Sequence, residues 1–300
     1  MATQKQYEAI TKAIIEALES GTVPWRKPWN SPEGNAFPHN ASTGRRYHGL
    51  NVLNLWAIAL KNGYESQAWL TEKQAISLGG KQKEGERYHF VYWYDFPKVD
   101  TGKNDSKGEP ILKTIPIFKM SKVYNVEQCE GIKLPKRELV TDTPTDTFNP
   151  IDEAEAIASA FIANGGPSVD HNGGDRAFYR PSEHAVHMPK QAQFEETGEY
   201  YSTLFHELTH STGHKTLLGR FEETSEPVHF GSEKYSKEEL VAEFGNAFLC
   251  AEVGISNETI DNSASYIQNW LQALRSDYKL ALVAASKAQK AVDLILGARV

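Results

Sequence analysis

Tyr7, Ile10, Ile14 and Leu18 recur at helical spacing near the start of the chain, and Ser20-Gly21 closes the run, which predicts an amphipathic helix. In the next segment, Val23-Pro24-Trp25-Arg26-Lys27-Pro28-Trp29, the prolines forbid a helix interior and extend the backbone. Residues 40–47 form a polar stretch, and residues 47–60 read as a loop running into an apolar helix. A second helix over 72–78 is stopped by Gly79-Gly80. Residues 88–96 are rich in aromatics and predict a strand. Residues 100–110 are polar and predict a hairpin tip or mobile loop, and 111–126 return as extended chain that buries Ile115, Ile117 and Val123.

After residues 141–147, which offer nothing a core would want and read as a linker, the periodicity turns largely helical. A helix is predicted over 151–164, followed by a hairpin of two short pieces, 177–179 and 185–188. The next helix runs from near Glu199 to Gly213. Another starts with Ser236 as its cap and Glu239 at the capping-box position, with Leu240, Phe244, Ala247 and Phe248 as its apolar face. Residues 265–296 predict an amphipathic helix that packs inside the module or against a second copy. The pattern implies an α+β protein of two domains, residues 1–140 and 151–300, joined by a linker at 141–150.

Charge sharpens that division. Residues 1–140 hold 20 Lys and Arg against 15 Asp and Glu, whereas 141–300 hold 12 against 24, so a net charge of −7 conceals a basic and an acidic part. Five of the six tryptophans lie in the first part. No apolar run approaches a bilayer crossing. With no export signal and only Cys129 and Cys250, the chain is expected to be cytoplasmic, without a disulfide framework and without a membrane partner. Neither cysteine has a partner at zinc-finger spacing, so a metal would have to be held by His with Glu or Asp.

Such a site is suggested by His206-Glu207-Leu208-Thr209-His210. Residues four apart share a helix face, so His206 and His210 can grip one ion, and Glu207 can act as general base on a water beside it. A longer H-E-x-x-H-x-x-G-x-x-H reading fails, because Thr216 stands where the third histidine belongs. His214 is one turn beyond His210, but Gly213 interrupts the helix before it. Downstream, Glu239 and Glu243 project together, an unfavourable pairing that a cation would relieve. The plainer alternative is that Glu239 merely caps its helix and both carboxylates face solvent. Glu239-Leu240-Val241-Ala242 resembles the E-x-x-A helix of gluzincin peptidases. That resemblance implies Glu239 as the third ligand and Glu243 as the acceptor for a ligand histidine's outer nitrogen. Zn2+ suits such ligands, and Mn2+ or Co2+ could occupy them.

Trp25 and Trp29, with Arg26 and Lys27 between them, could be a hydrophobic tether or a stacking platform for bases. A wider likeness bears on that choice. Gly21 to Trp29, Thr43-Gly44-Arg45-Arg46-Tyr47-His48-Gly49-Leu50-Asn51, Trp69-Leu70-Thr71, Leu78-Gly79-Gly80, Met188-Pro189 and both glutamate-bearing motifs resemble, in order and spacing, the ArdC-type antirestriction proteins of conjugative plasmids and their phage relatives. The resemblance implies a single-stranded-DNA-binding domain followed by a metallopeptidase-like domain, guarding incoming plasmid DNA against host restriction. It favours stacking over tethering and implies DNA contacts at Trp25, Arg26, Lys27, Trp29, Arg45, Arg46, Tyr47, Asn51, Trp69, Lys81 and Lys83. It allows a restriction enzyme or another protein as substrate, or a purely structural ion in a non-catalytic blocking protein. His184 departs from the pattern, standing where an acidic residue is expected.

Overall fold

The computed structural model describes residues 4–20, 23–25, 37–95, 98–104, 110–114, 117–134, 150–172, 174–221, 233–255 and 264–297. The first half contains α1 (Gln4–Glu19), β1 (His39–Asn40), α2 (Leu50–Asn62), β2 (Ala68–Leu70), α3 (Glu72–Ser77), β3 (Lys81–Gln82), β4 (His89–Asp95), β5 (Lys98–Asn104), β6 (Pro110–Thr114), β7 (Ile117–Asn125) and β8 (Cys129–Glu130). The second contains α4 (Pro150–Ala163), β9 (Ser168–Asp170), β10 (Phe178–Arg180), β11 (Ala185–His187), α5 (Thr197–Ser211), α6 (Glu233–Val253), α7 (Ala264–Ser276) and α8 (Leu280–Ile295). The fold is α+β, as the pattern predicts.

The principal sheet has the order β1-β2-β7-β4, and β5 and β6 pair antiparallel outside it. An edge strand such as β4 exposes backbone groups that need partners. Here α2 supplies them. Asn51 donates from Nδ2 to the Tyr92 carbonyl at 2.6 Å and accepts from the Tyr92 amide at 2.8 Å, while Asn54 donates to the Phe90 carbonyl at 2.8 Å. In the second half β10, β11 and β9 form a small sheet beside α5. The pairing of β9 was not visible in the sequence, which showed only the β10–β11 hairpin.

One hydrophobic core crosses between the halves. Ile14 and Leu18 of α1, Trp25, and Leu53 and Trp56 of α2 belong to the same buried cluster as Phe205, Phe244, Phe248, Trp270 and Ala285. Burying apolar surface stabilises by roughly 25 cal/mol per Å2. Separating the halves would forfeit that contribution at every ring along this seam.

Several expectations are corrected. Ser236 lies within α6, which begins at Glu233, so it is not the N-cap of that helix and Glu239 is not at its capping-box position. The single C-terminal helix is two: the chain breaks between Ser276 and Leu280, and both α7 and α8 bury apolar faces inside the molecule. Of the stretch 100–110, residues 100–104 are strand paired antiparallel with β6, as in the hairpin alternative, and 105–109 lie outside the described residues; Ile117 is 39% exposed where burial was expected, although Val123 is buried. Ile115 and the expected linker residues 141–147 lie outside the described residues. No helix among the described residues is long and apolar enough to cross a membrane.

Candidate metal centre

The motif helix α5 is an inner helix. Tyr200, Tyr201, Leu204, Phe205 and Leu208 are all buried, and at its first turn Glu199 Oε2 accepts from the backbone amide of Glu195 at 3.1 Å. It packs against α6, which is buried almost throughout from Glu239 to Cys250. The crossing is unusually close at Gly245, where a Cβ would lie 2.4 Å from Thr209 Cγ2. Ordinary carbon contacts fall at about 3.5–4.0 Å, so glycine is what lets the helices approach there. Thr209 sits between Glu207 and His210 on one helix, and Gly245 is two residues beyond Glu243 on the other.

The result is convergence. His206, His210 and Glu239 each present a ligand atom, all within 4.8 Å of one another. Glu239 Oε2 lies 3.6 Å from His206 Nε2, and its Oε1 lies 3.3 Å from His210 Nε2. Both imidazoles turn their other nitrogen toward a second carboxylate of α6. His206 Nδ1 is 3.6 Å from Glu243 Oε1, and His210 Nδ1 is 3.6 Å from Glu238 Oε1. These are ion-pair distances rather than hydrogen bonds. Glu243 also accepts from Trp25 Nε1 at 3.3 Å, so a residue of the first module reaches the layer behind the ligands. Glu238 is held by Arg220, whose Nη2 donates to it at 2.6 Å. Arg220 is itself fixed by hydrogen bonds to Thr212 Oγ1 and the Thr209 carbonyl.

The electrostatics follow from burial and charge together. Burial pulls His206 and His210 toward the neutral form, but Glu239, helped by Glu207 and, for His210, by Glu238, outweighs it. His206 ends above its ordinary range and His210 well above. Burial alone would raise Glu239, yet the two imidazoles hold it far below the usual carboxylate range. Glu238 is lowered too: burial opposes ionisation, and His210 and Arg220 override it. Two imidazole nitrogens and one carboxylate converge in a buried place, and each imidazole is backed by a further carboxylate. This donor set fits a divalent transition ion. Glu207 is buried beside it, 8% exposed.

Sequence reasoning missed Glu238 and Arg220. The signal was present: three glutamates within six residues of a largely buried helix each need a partner, and only two had been given one. His214 does not join the cluster. α5 ends at Ser211, and His214 stacks on His184 at 4.1 Å between ring centroids. His184 adopts the left-handed backbone at φ 47° and meets Tyr179 Oη at 2.8 Å, while His187 pairs with Asp170 and Asn172.

The expected DNA contacts fare differently. Trp25 is 1% exposed and packs edge-on against Phe244 and Trp270, and Trp69 is fully buried in β2 beside His89. Neither ring can offer a face to a base, so the stacking expectation is corrected for both. The tether alternative describes Trp25. Asn51 is half-buried, and its side-chain amide is committed to the edge of β4. Arg46 pairs with Glu252 at 2.6 Å, Lys81 pairs with Glu130 at 3.2 Å, and Lys83 donates to the Glu127 carbonyl at 2.8 Å. Arg45 is exposed, and Tyr47 is half-buried with its phenol raised by that burial. Arg26, Lys27 and Trp29 lie outside the described residues.

Comparison with known proteins matches two family models to separate parts of the chain. A family model described as the N-terminal domain of the anti-restriction factor ArdC matches residues 4–124, and one described as a zincin-like metallopeptidase matches 156–287. A solved metal-free structure of the antirestriction ArdC protein from plasmid R388 superposes with a TM-score of 0.75 at 38% identity, covering 96% of each chain. Its Mn(II)-bound form gives 0.70 at 36% identity, covering 97% of each. An uncharacterized protein y4eC of Sinorhizobium fredii is 35% identical over 96% of this chain and 90% of its own length. A DNA primase TraC of Escherichia coli is 36% identical over 97% of this chain, which spans only 20% of that primase.

Proposed function

The chain belongs to the ArdC antirestriction family, and from that premise we propose that it binds single-stranded DNA through its first module and holds one divalent ion at His206, His210 and Glu239 of a peptidase-like second module. We set the division between the modules at residues 141–150, between the segments matched by the two family models. The observation that carries the reading of the second module is the convergence of those three side chains beside the buried Glu207. Mn(II) in the R388 relative and the preference of imidazole–carboxylate sets for zinc both fit this site.

A bound ion would supply Lewis-acid polarisation of a carbonyl and charge stabilisation at the reacting centre. The chain's own groups do the rest. Glu207 takes a proton from a water and returns it to the leaving amine of a peptide substrate, a general acid–base contribution of about 10²–10⁴-fold. Glu243 and Glu238 face the outer nitrogens of His206 and His210 and orient the imidazoles. Arg220 keeps Glu238 in place, and Trp25 does the same for Glu243. Burial of His206, Glu207, Glu239 and Glu243 limits the competition of bulk water for these charges.

Protection of incoming single-stranded DNA from a restriction enzyme, measured for wild type and Glu207→Gln, tests this function. A catalytic role predicts that protection is lost in Glu207→Gln while the protein stays folded and still binds DNA. Full protection by that variant would instead support the reading in which the ion is structural and the protein only coats DNA or obstructs the nuclease.

A further inference from the structure

With Trp25 and Trp69 in the core, a single strand needs another set of rings, and the described surface carries one. Tyr88, Phe90, Tyr92, Phe118, Tyr7 and Tyr278 follow one another with ring centroids 5.2, 6.5, 5.6, 5.7 and 6.3 Å apart. The row starts beside β4, crosses to β7, and continues over α1 to the turn between α7 and α8. Strand geometry explains its beginning. Side chains alternate between sheet faces, and the register sets Phe90 opposite Lys122 and Tyr92 opposite Met120, placing these four on one face. Trp93 and Lys119, paired one step on, fall on the other.

Two features separate this row from an ordinary core cluster. Tyr88 is 41% exposed and Met120 40%, and the remaining rings are half-buried, so the row lies open along one side. Cations stand at both ends: Lys122 Nζ lies 4.1 Å above the Tyr88 ring, and Lys279 Nζ lies 5.9 and 5.7 Å from the Tyr7 and Tyr278 rings. The ring spacing is that of ordinary aromatic contacts, and it exceeds the roughly 3.4 Å rise of stacked bases. A strand lying here would have to lay its bases on the rings one at a time, which paired and stacked bases cannot do.

We propose that this aromatic row, flanked by Lys122 and Lys279, is the track on which single-stranded DNA lies. The proposal rests on the single-strand-binding reading above and supplies the site for it. Because the whole chain carries −7, phosphate attraction is weak and stacking supplies most of the affinity. The track joins the two modules, since Tyr7 and Tyr278 belong to opposite ends of the chain and share it.

Fluorescence anisotropy of a labelled oligothymidylate, titrated with the full-length protein at several salt concentrations, tests it. Tyr88→Leu should weaken binding about fivefold or more, the loss of one base–ring stack. Met120→Glu, which puts an anion into the middle of the row at an exposed position, should weaken it at least as much. Lys122→Gln should lower the salt slope by about 0.7, one phosphate contact. Trp93→Ala, on the opposite sheet face, should bind as wild type does. Wild-type affinity in both Tyr88→Leu and Met120→Glu, or a loss confined to Trp93→Ala, would overturn the track while leaving single-strand binding intact. Absence of oligothymidylate binding by the wild type would overturn the binding reading itself, and the track with it.

Discussion

Gly245→Ala is the smallest change that should disturb the metal centre without touching a ligand. The added Cβ would sit 2.4 Å from Thr209 Cγ2 and 2.7 Å from Thr209 Oγ1, short of ordinary contact by about 1 Å. Thr209 cannot swing aside: it is fully buried and its hydroxyl donates to the Phe205 carbonyl at 2.8 Å. Either α5 and α6 separate or Thr209 leaves its rotamer. Overpacking of this kind costs about 1–3 kcal/mol, and better helix propensity returns at most about 1 kcal/mol. The net, between about 0 and 3 kcal/mol, should lower the melting temperature by about 2–4 °C for each kcal/mol. The larger consequence is at the ligands. Metal–ligand distances tolerate about 0.2 Å, so separating the helices by even half an ångström should cost tenfold or more in affinity. Thr209→Ala in the same chain removes Cγ2 and Oγ1 and should restore most of both losses, which a double-mutant cycle by calorimetric metal titration and thermal melting would show. Wild-type metal affinity and melting in Gly245→Ala would refute the idea that this crossing sets the ligand spacing.

Other consequences are separable. Glu243→Gln should weaken metal binding by about ten- to a hundredfold. Trp25→Phe keeps most of the ring packing but deletes the indole donor, so it should weaken the metal by less, with melting of the metal-free protein nearly unchanged; equal affinity to wild type would mean the indole does not orient Glu243. Glu238→Ala leaves Arg220 buried without its carboxylate, which should cost about 3–5 kcal/mol by denaturant unfolding, and a neutral result would show that Arg220 finds another partner. For pH, His210 is raised well above its ordinary value, so its stabilising contribution to the metal-free protein is full below about 6.5 and is lost as pH climbs through the raised folded-state value. Melting in chelator should therefore fall with rising pH in that window. Metal affinity should rise there, because the ion needs neutral imidazoles. Stability that increases with pH across the window would contradict the assignment.

How far the sequence carried depended on how local each signal was. The pairing of His206 with His210 and of Glu239 with Glu243 is set by one helical turn, so both were legible before any tertiary structure. That the two helices would meet was inferred by resemblance; the glycine that allows the meeting, Gly245, was not singled out. Trp25 and Trp69 were misread because an aromatic beside cations looks the same whether it faces a base or a distant helix. What buries Trp25 is Phe244 and Trp270, more than 200 residues away. Ser236 was misread as a cap because Ser followed three residues later by Glu is a start signal that α6, already begun at Glu233, overrides. The row from Tyr88 to Tyr278 was invisible for a similar reason, since it joins a strand pair to both ends of the chain.

Metal stoichiometry in purified wild type, Glu239→Ala and Glu207→Gln, determined by elemental analysis after dialysis against limiting divalent ion, bears most directly on the centre itself. One equivalent is expected in the wild type and in Glu207→Gln, and a loss of metal together with stability in Glu239→Ala, because binding energy at a site formed only by folding is folding energy. A full equivalent retained by folded Glu239→Ala would contradict this, leaving the two histidines to hold the ion with some other group.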